Sequence, residues 1–148
     1  MLRQCLLAIL VAAGTFAVRP VSADEIADRI ALLPGIVEDV RVGGTWSKDG
    51  QAGVYRIVIA RSGGNELTAR LFIQWVAYVS DGTATLINSV EIKEIDELDI
   101  DIVDTISESD QDGLTVFIQA DNPSPSGDDS FELYIFSPTD YLFDAATN

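Results

Sequence analysis

Glu108, Asp110 and Asp112, followed by Gly113, set three carboxylates at alternate positions ahead of a glycine. Calcium loops are built in this way, with hard oxygen ligands at every second residue and a glycine where the chain turns sharply. Only the first half of that pattern is present. The position at which an EF-hand supplies its bidentate glutamate is Gln119, and the flanks alternate like strands instead of reading as helices. The triad therefore presents two expectations: a calcium site completed from elsewhere in the chain, or a solvated polar turn joining two apolar strands.

A second acidic group comprises Asp96, Glu97 and Asp99 together with Asp121, Asp128 and Asp129. If 98–106 and 114–120 pair as a hairpin, Asp99 and Asp121 lie near its open end and Asp110 and Asp112 at its turn. Six or seven strand residues at about 3.4 Å each separate the two groups by roughly 20 Å, too far to share one ion. The second group is the candidate contact for a basic partner. Asp99 and Asp101 alternate with Leu98, Ile100 and Ile102, the polar-out pattern of a half-buried strand. Of the two tryptophans, Trp75 falls within an alternating strand and belongs to the core. Trp46, just before Lys48-Asp49-Gly50, is the one expected to be accessible to a partner.

Catalysis is not expected. The chain has no histidine, its single cysteine is Cys5 and its single methionine is Met1. Triads that rely on histidine or cysteine are therefore missing, as are the ligands on which zinc, copper and haem iron mainly depend. Two carboxylates suffice to cleave a glycosidic bond, but among so many acids none stands out as a pair. No cofactor is expected other than calcium.

The amino terminus reads as an export signal. Arg3 precedes a thirteen-residue apolar run, CLLAILVAAGTFA, and VRPVSA supplies small residues at Val21 and Ala23 for cleavage before Asp24. The run is shorter than the roughly 20 residues needed to cross a bilayer, so the mature chain is expected to carry no membrane insertion and to reside in the periplasm or outside the cell. Residues 1–23 are then the signal peptide and 24–148 one domain. Loss of Arg3 and Arg19 leaves seven basic residues against 24 acidic ones, a net charge of −17. No lysine or arginine follows Lys93, while 15 carboxylates do. Nucleic acid is excluded as a partner by such a charge; a basic protein or a hard cation is favoured.

The elements that must position these groups are mostly strands. ADEIADRIALLPG predicts a short N-terminal helix, with acids at its start and Pro34-Gly35 at its end. Strands are expected at 36–47, 53–61, 66–79, 84–95, 98–106, 114–120 and 131–137, separated by turn-forming Gly, Asp, Asn, Ser and Pro. At the second turn, a three-residue loop pairing Ile57 with Ala69 and Ile59 with Leu67 keeps the apolar face continuous, whereas a two-residue loop reverses it. The pattern implies an all-β protein, an antiparallel β-sandwich of immunoglobulin-like size, with a small β-barrel as alternative. The function expected is that of a small exported acidic binding module, an inhibitor of a basic secreted enzyme being one form. A calcium-stabilised structural or adhesive β domain is the other reading.

Overall fold

The computed structural model describes residues 23–64, 66–125 and 127–146. The expected export segment lies outside the described residues up to position 22. The chain divides into two compact units, one ending at Leu33 and one beginning at Pro34. In the first, α1 (Ala23–Ala31) is held by an Arg29–Glu25 ion pair of 2.7 Å one turn apart. Leu32 and Leu33 prolong it with N–H bonds to the carbonyls of Arg29 and Ile30, and Pro34 ends it.

The second unit is an antiparallel sandwich. Its first sheet is built from β1 (Val37–Lys48), β2 (Gln51–Gly63), β3 (Leu67–Tyr78) and β4 (Ala84–Ile92), its second from β5 (Asp101–Ser109), β6 (Leu114–Asp121), β7 (Ser130–Ser137) and β8 (Asp140–Ala145). Both sheets run in sequence order, β1-β2-β3-β4 and β5-β6-β7-β8, and each ends in two edge strands, so the barrel alternative does not hold. Alternation does the sorting. Ile57, Leu71 and Ile73 of the first sheet and Leu114, Val116 and Leu133 of the second are fully buried and meet face to face. Intervening residues face out, as in β6, where Phe117, Gln119 and Asp121 are exposed between buried neighbours.

Four sequence expectations need correction. The strand expected at 84–95 stops at Ile92, and Lys93–Glu97 form a single helical turn, α2. Ile92 and Ile95 stand three apart, a helical spacing, and both are fully buried; the isoleucine–carboxylate alternation concealed it. Asp99 is consequently not in a strand but in the turn after α2, with φ 53°, a left-handed conformation that aspartate tolerates. Asp101, which begins β5, does not point freely to water: its side chain is 26% exposed and bonded to Arg61. The β2–β3 register pairs Ile57 with Ile73 and Ile59 with Leu71, not with Ala69 and Leu67. The last pair is Gly63 with Leu67, so the apolar face is kept, as the three-residue placement expected, while each partner shifts by four. The fourth is β8, an edge strand absent from the sequence expectation.

β5 links the layers. Ala69 N–H donates to Ile100 O at 2.8 Å and Thr45 N–H to Ser109 Oγ at 3.0 Å, so this strand starts against β3 and finishes against β1. Gly44, at φ 151°, makes the close approach possible, since a Cβ there would overlap the Ser109 side chain. Among the described residues no helix is long and apolar enough to cross a membrane.

Candidate functional site

Along the start of β5 two arginines of the first sheet fasten the second. Arg61 bonds Asp101 Oδ1 at 2.7 Å, the carbonyl of Ile102, and Glu38 at 3.0 Å. Its side chain is only 17% exposed, and the bond to Asp101 foremost holds its pKa above the ordinary value. Arg41 bonds Thr105 O at 3.0 Å and pairs with Asp39, with Asp104 3.6 Å away. Arg70, over the Phe72 ring at 5.4 Å, pairs with Glu91 of β4. Three of the few cations thus serve carboxylates of their own chain.

The other end of the sandwich is open. The β1–β2, β5–β6 and β7–β8 turns, with the end of β3, surround a cleft of about 790 Å³. Five aromatic side chains line it: Trp46, Tyr55, Trp75, Tyr78 and Phe136. Tyr55 and Trp75 are buried and meet edge to face, with ring centroids 5.6 Å apart, while Tyr78 and Phe136 are 56% and 52% exposed. Trp46 is half-buried, and its indole N–H is committed to Val54 O at 3.1 Å. A bulge in β4 leaves Ile87 unpaired between Leu86, opposite Val76, and Asn88, opposite Trp75, and Ile87 joins the wall. On the rim stand Asp49, Asp110 and Asp112 with Lys48. Burial, aided by the charge of Asp110, pushes the Tyr55 phenol above its usual pKa.

The expected calcium triad lies partly on this rim. Asp110 Oδ1 accepts the N–H groups of Asp112 at 2.8 Å and Gly113 at 3.1 Å, an Asx turn that closes the hairpin. Among the described residues no three acidic side chains converge as a metal-holding group. Glu108 sits on β5 and faces outward beside Thr115 and Tyr134.

The expected partner group is divided. Trp46 shares the cleft with Asp110 and Asp112. Asp121 pairs with Asp101 at the far end of the β5–β6 hairpin, so the expected separation of two acidic poles is what the register gives. Asp96 and Glu97 lie on α2 and Asp99 just after it. Asp128 and Asp129 are exposed in the β6–β7 loop, where their carbonyls accept bonds from Asn122 and Gln119. Sequence inspection passed over the outer face of the second sheet. There one row carries Ile106, Phe117, Glu132 and Asp144, and the next Glu108, Thr115, Tyr134 and Leu142. The period-two alternation of these strands was the available signal for it. Comparison with protein families, curated proteins and solved structures gave no match.

Proposed function

We propose that this chain is a small exported binding module that takes a basic protein on the outer face of its second sheet. The observation that supports this is the make-up of that face. Ile106 is 63% exposed and stands beside Phe117, with Glu108, Glu132 and Asp144 around them and no lysine or arginine on any of the four strands. An apolar centre with a charged rim is how protein interfaces are organised, and carboxylates all of one sign select a partner of the other. Inhibition of a basic secreted enzyme is one use of such a surface. Asp121, Asp128 and Asp129 extend its acidic character around the β6–β7 loop.

The test is co-elution of the protein with lysozyme or another strongly basic protein on size exclusion. A complex is expected at about 20 mM salt and its loss is expected above about 300 mM, where screening acts within a few ångströms. Replacing Glu108→Lys and Asp144→Lys together should abolish it. Absence of a complex at every salt concentration overturns the proposal.

A further inference from the structure

We propose that the aromatic cleft is a second site, which receives an arginine or lysine side chain carried on a short extended peptide segment. Its volume, about 790 Å³, far exceeds what one side chain needs and falls within the ~300–1,000 Å³ range of ligand-binding clefts. The rings of Tyr78 and Phe136 stand half in water at its mouth, and Trp46 and Ile87 add to an apolar lining that is left open among the described residues. Above this lining the rim carries Asp49, Asp110 and Asp112 against Lys48, a surplus of two negative charges.

That combination selects among occupants. An anion is repelled by the rim. A neutral ligand leaves the carboxylates unanswered. A bare metal ion needs converging oxygens, and Asp110 Oδ1 is already occupied by two backbone N–H groups. An organic cation satisfies both parts, because its stem packs on the rings, its charge lies over their faces, and the carboxylates stand at the edge. Arginine fits best, since a planar guanidinium stacks on an aromatic ring and still presents N–H groups to a carboxylate. Turns from both sheets build the cleft, which leaves it open at the end and able to admit a chain.

The inference extends the proposed basic partner by stating which part of it is taken, and it is tested on isolated peptides so that the two ideas fail separately. Both tryptophans of the chain, Trp46 and Trp75, line the cleft, so intrinsic tryptophan emission reports on this place alone. Acetyl-Gly-Arg-Gly-amide should produce a saturable change. The same peptide with citrulline, which keeps the shape of arginine without its charge, should bind about 2- to 5-fold more weakly, the size expected for one exposed charge interaction of up to about 1 kcal/mol. Asp110→Asn should weaken the arginine peptide about 3-fold while leaving thermal melting in place, because an amide oxygen still accepts from Asp112 and Gly113. Equal responses to arginine and citrulline, or no saturable response, overturn the inference. So does tighter binding of choline than of the arginine peptide, which would assign the cleft to a free quaternary ammonium compound. If the peptide fails while basic proteins still co-elute, the cleft assignment falls and the outer-face proposal stands.

Discussion

The two places where the sheets meet at their margins differ in one respect. Along the start of β5 the carboxylates meet arginine; at the cleft they meet none. Arg61 and Arg41 reach across to Asp101, Ile102 O and Thr105 O, and the layers close. Asp110 Oδ1 accepts two backbone N–H groups, Lys48 is the cation that shares the rim with Asp110 and Asp112 among the described residues, and the layers stay apart beside an aromatic wall. Acidity alone therefore does not define a surface. The same residue type is structural where a guanidinium answers it and available where none does.

That contrast can be broken most forcefully at its closed margin. Arg61→Met leaves Asp101 half-buried and unpaired and strips three acceptors of their donor. A loss of about 2–4 kcal/mol is expected, below the full cost of a deeply buried pair because solvent still reaches the site. Urea unfolding monitored by circular dichroism would measure it, and a change under about 0.5 kcal/mol would place Arg61 among ordinary surface residues. Gly44→Ala acts on the neighbouring approach of β5 to β1. Its Cβ has no room beside Ser109 and its φ is unfavourable, so a cost of about 1–3 kcal/mol is expected in the same assay.

Opposite in sign is Thr105→Val. Thr105 Oγ1 is buried without a hydrogen-bond partner among the described residues, and Arg41 uses the carbonyl of this residue rather than its hydroxyl. Exchanging the hydroxyl for a methyl should leave the fastening intact and raise stability by about 1 kcal/mol.

At the open margin the sharper test is alkaline. Burial raises the Tyr55 pKa, and burial with the bond to Glu94 raises that of Tyr141. Above pH 10 the unfolded chain gives up these protons first, so it binds fewer than the native state and stability falls as pH rises through the folded values. Tyr55→Phe should flatten that decline in urea melts taken between pH 9 and the folded values. An unchanged slope would mean that Tyr55 titrates as it does in the unfolded chain. The smallest effect expected is that of divalent ions. Calcium should raise the melting temperature no more than magnesium at equal ionic strength, since both screen the same carboxylates. A calcium-specific rise would instead revive the calcium-stabilised reading of Glu108, Asp110 and Asp112.

Strand positions, the inward row Ala69, Leu71, Ile73 and Trp75, and the separation of two acidic poles were legible because period-two alternation is a local signal. The β2–β3 register was half legible. Parity follows from which residues are apolar, but exact partners depend on where the loop sits, and Gly63-Gly64 offered two placements. β8 escaped because Leu142 is exposed while Tyr141 and Phe143 are half-buried, so its six residues do not spell a clear inward face. The cleft was beyond local inspection altogether. Trp46, Trp75 and Phe136 are brought together only when three turns and a strand end converge, and no spacing in the chain records it.

Each sheet is a meander of consecutive strands, and among the described residues no interstrand ladder joins those before Ile92 to those after Asp101. The N-terminal ribbon can thus complete its own pairing while the rest is still being synthesised, with the hydrophobic seam and the arginine fasteners added last. The short stretch from Lys93 to Ile100 is then the covalent tie that keeps the two ribbons within reach of each other until that seam closes.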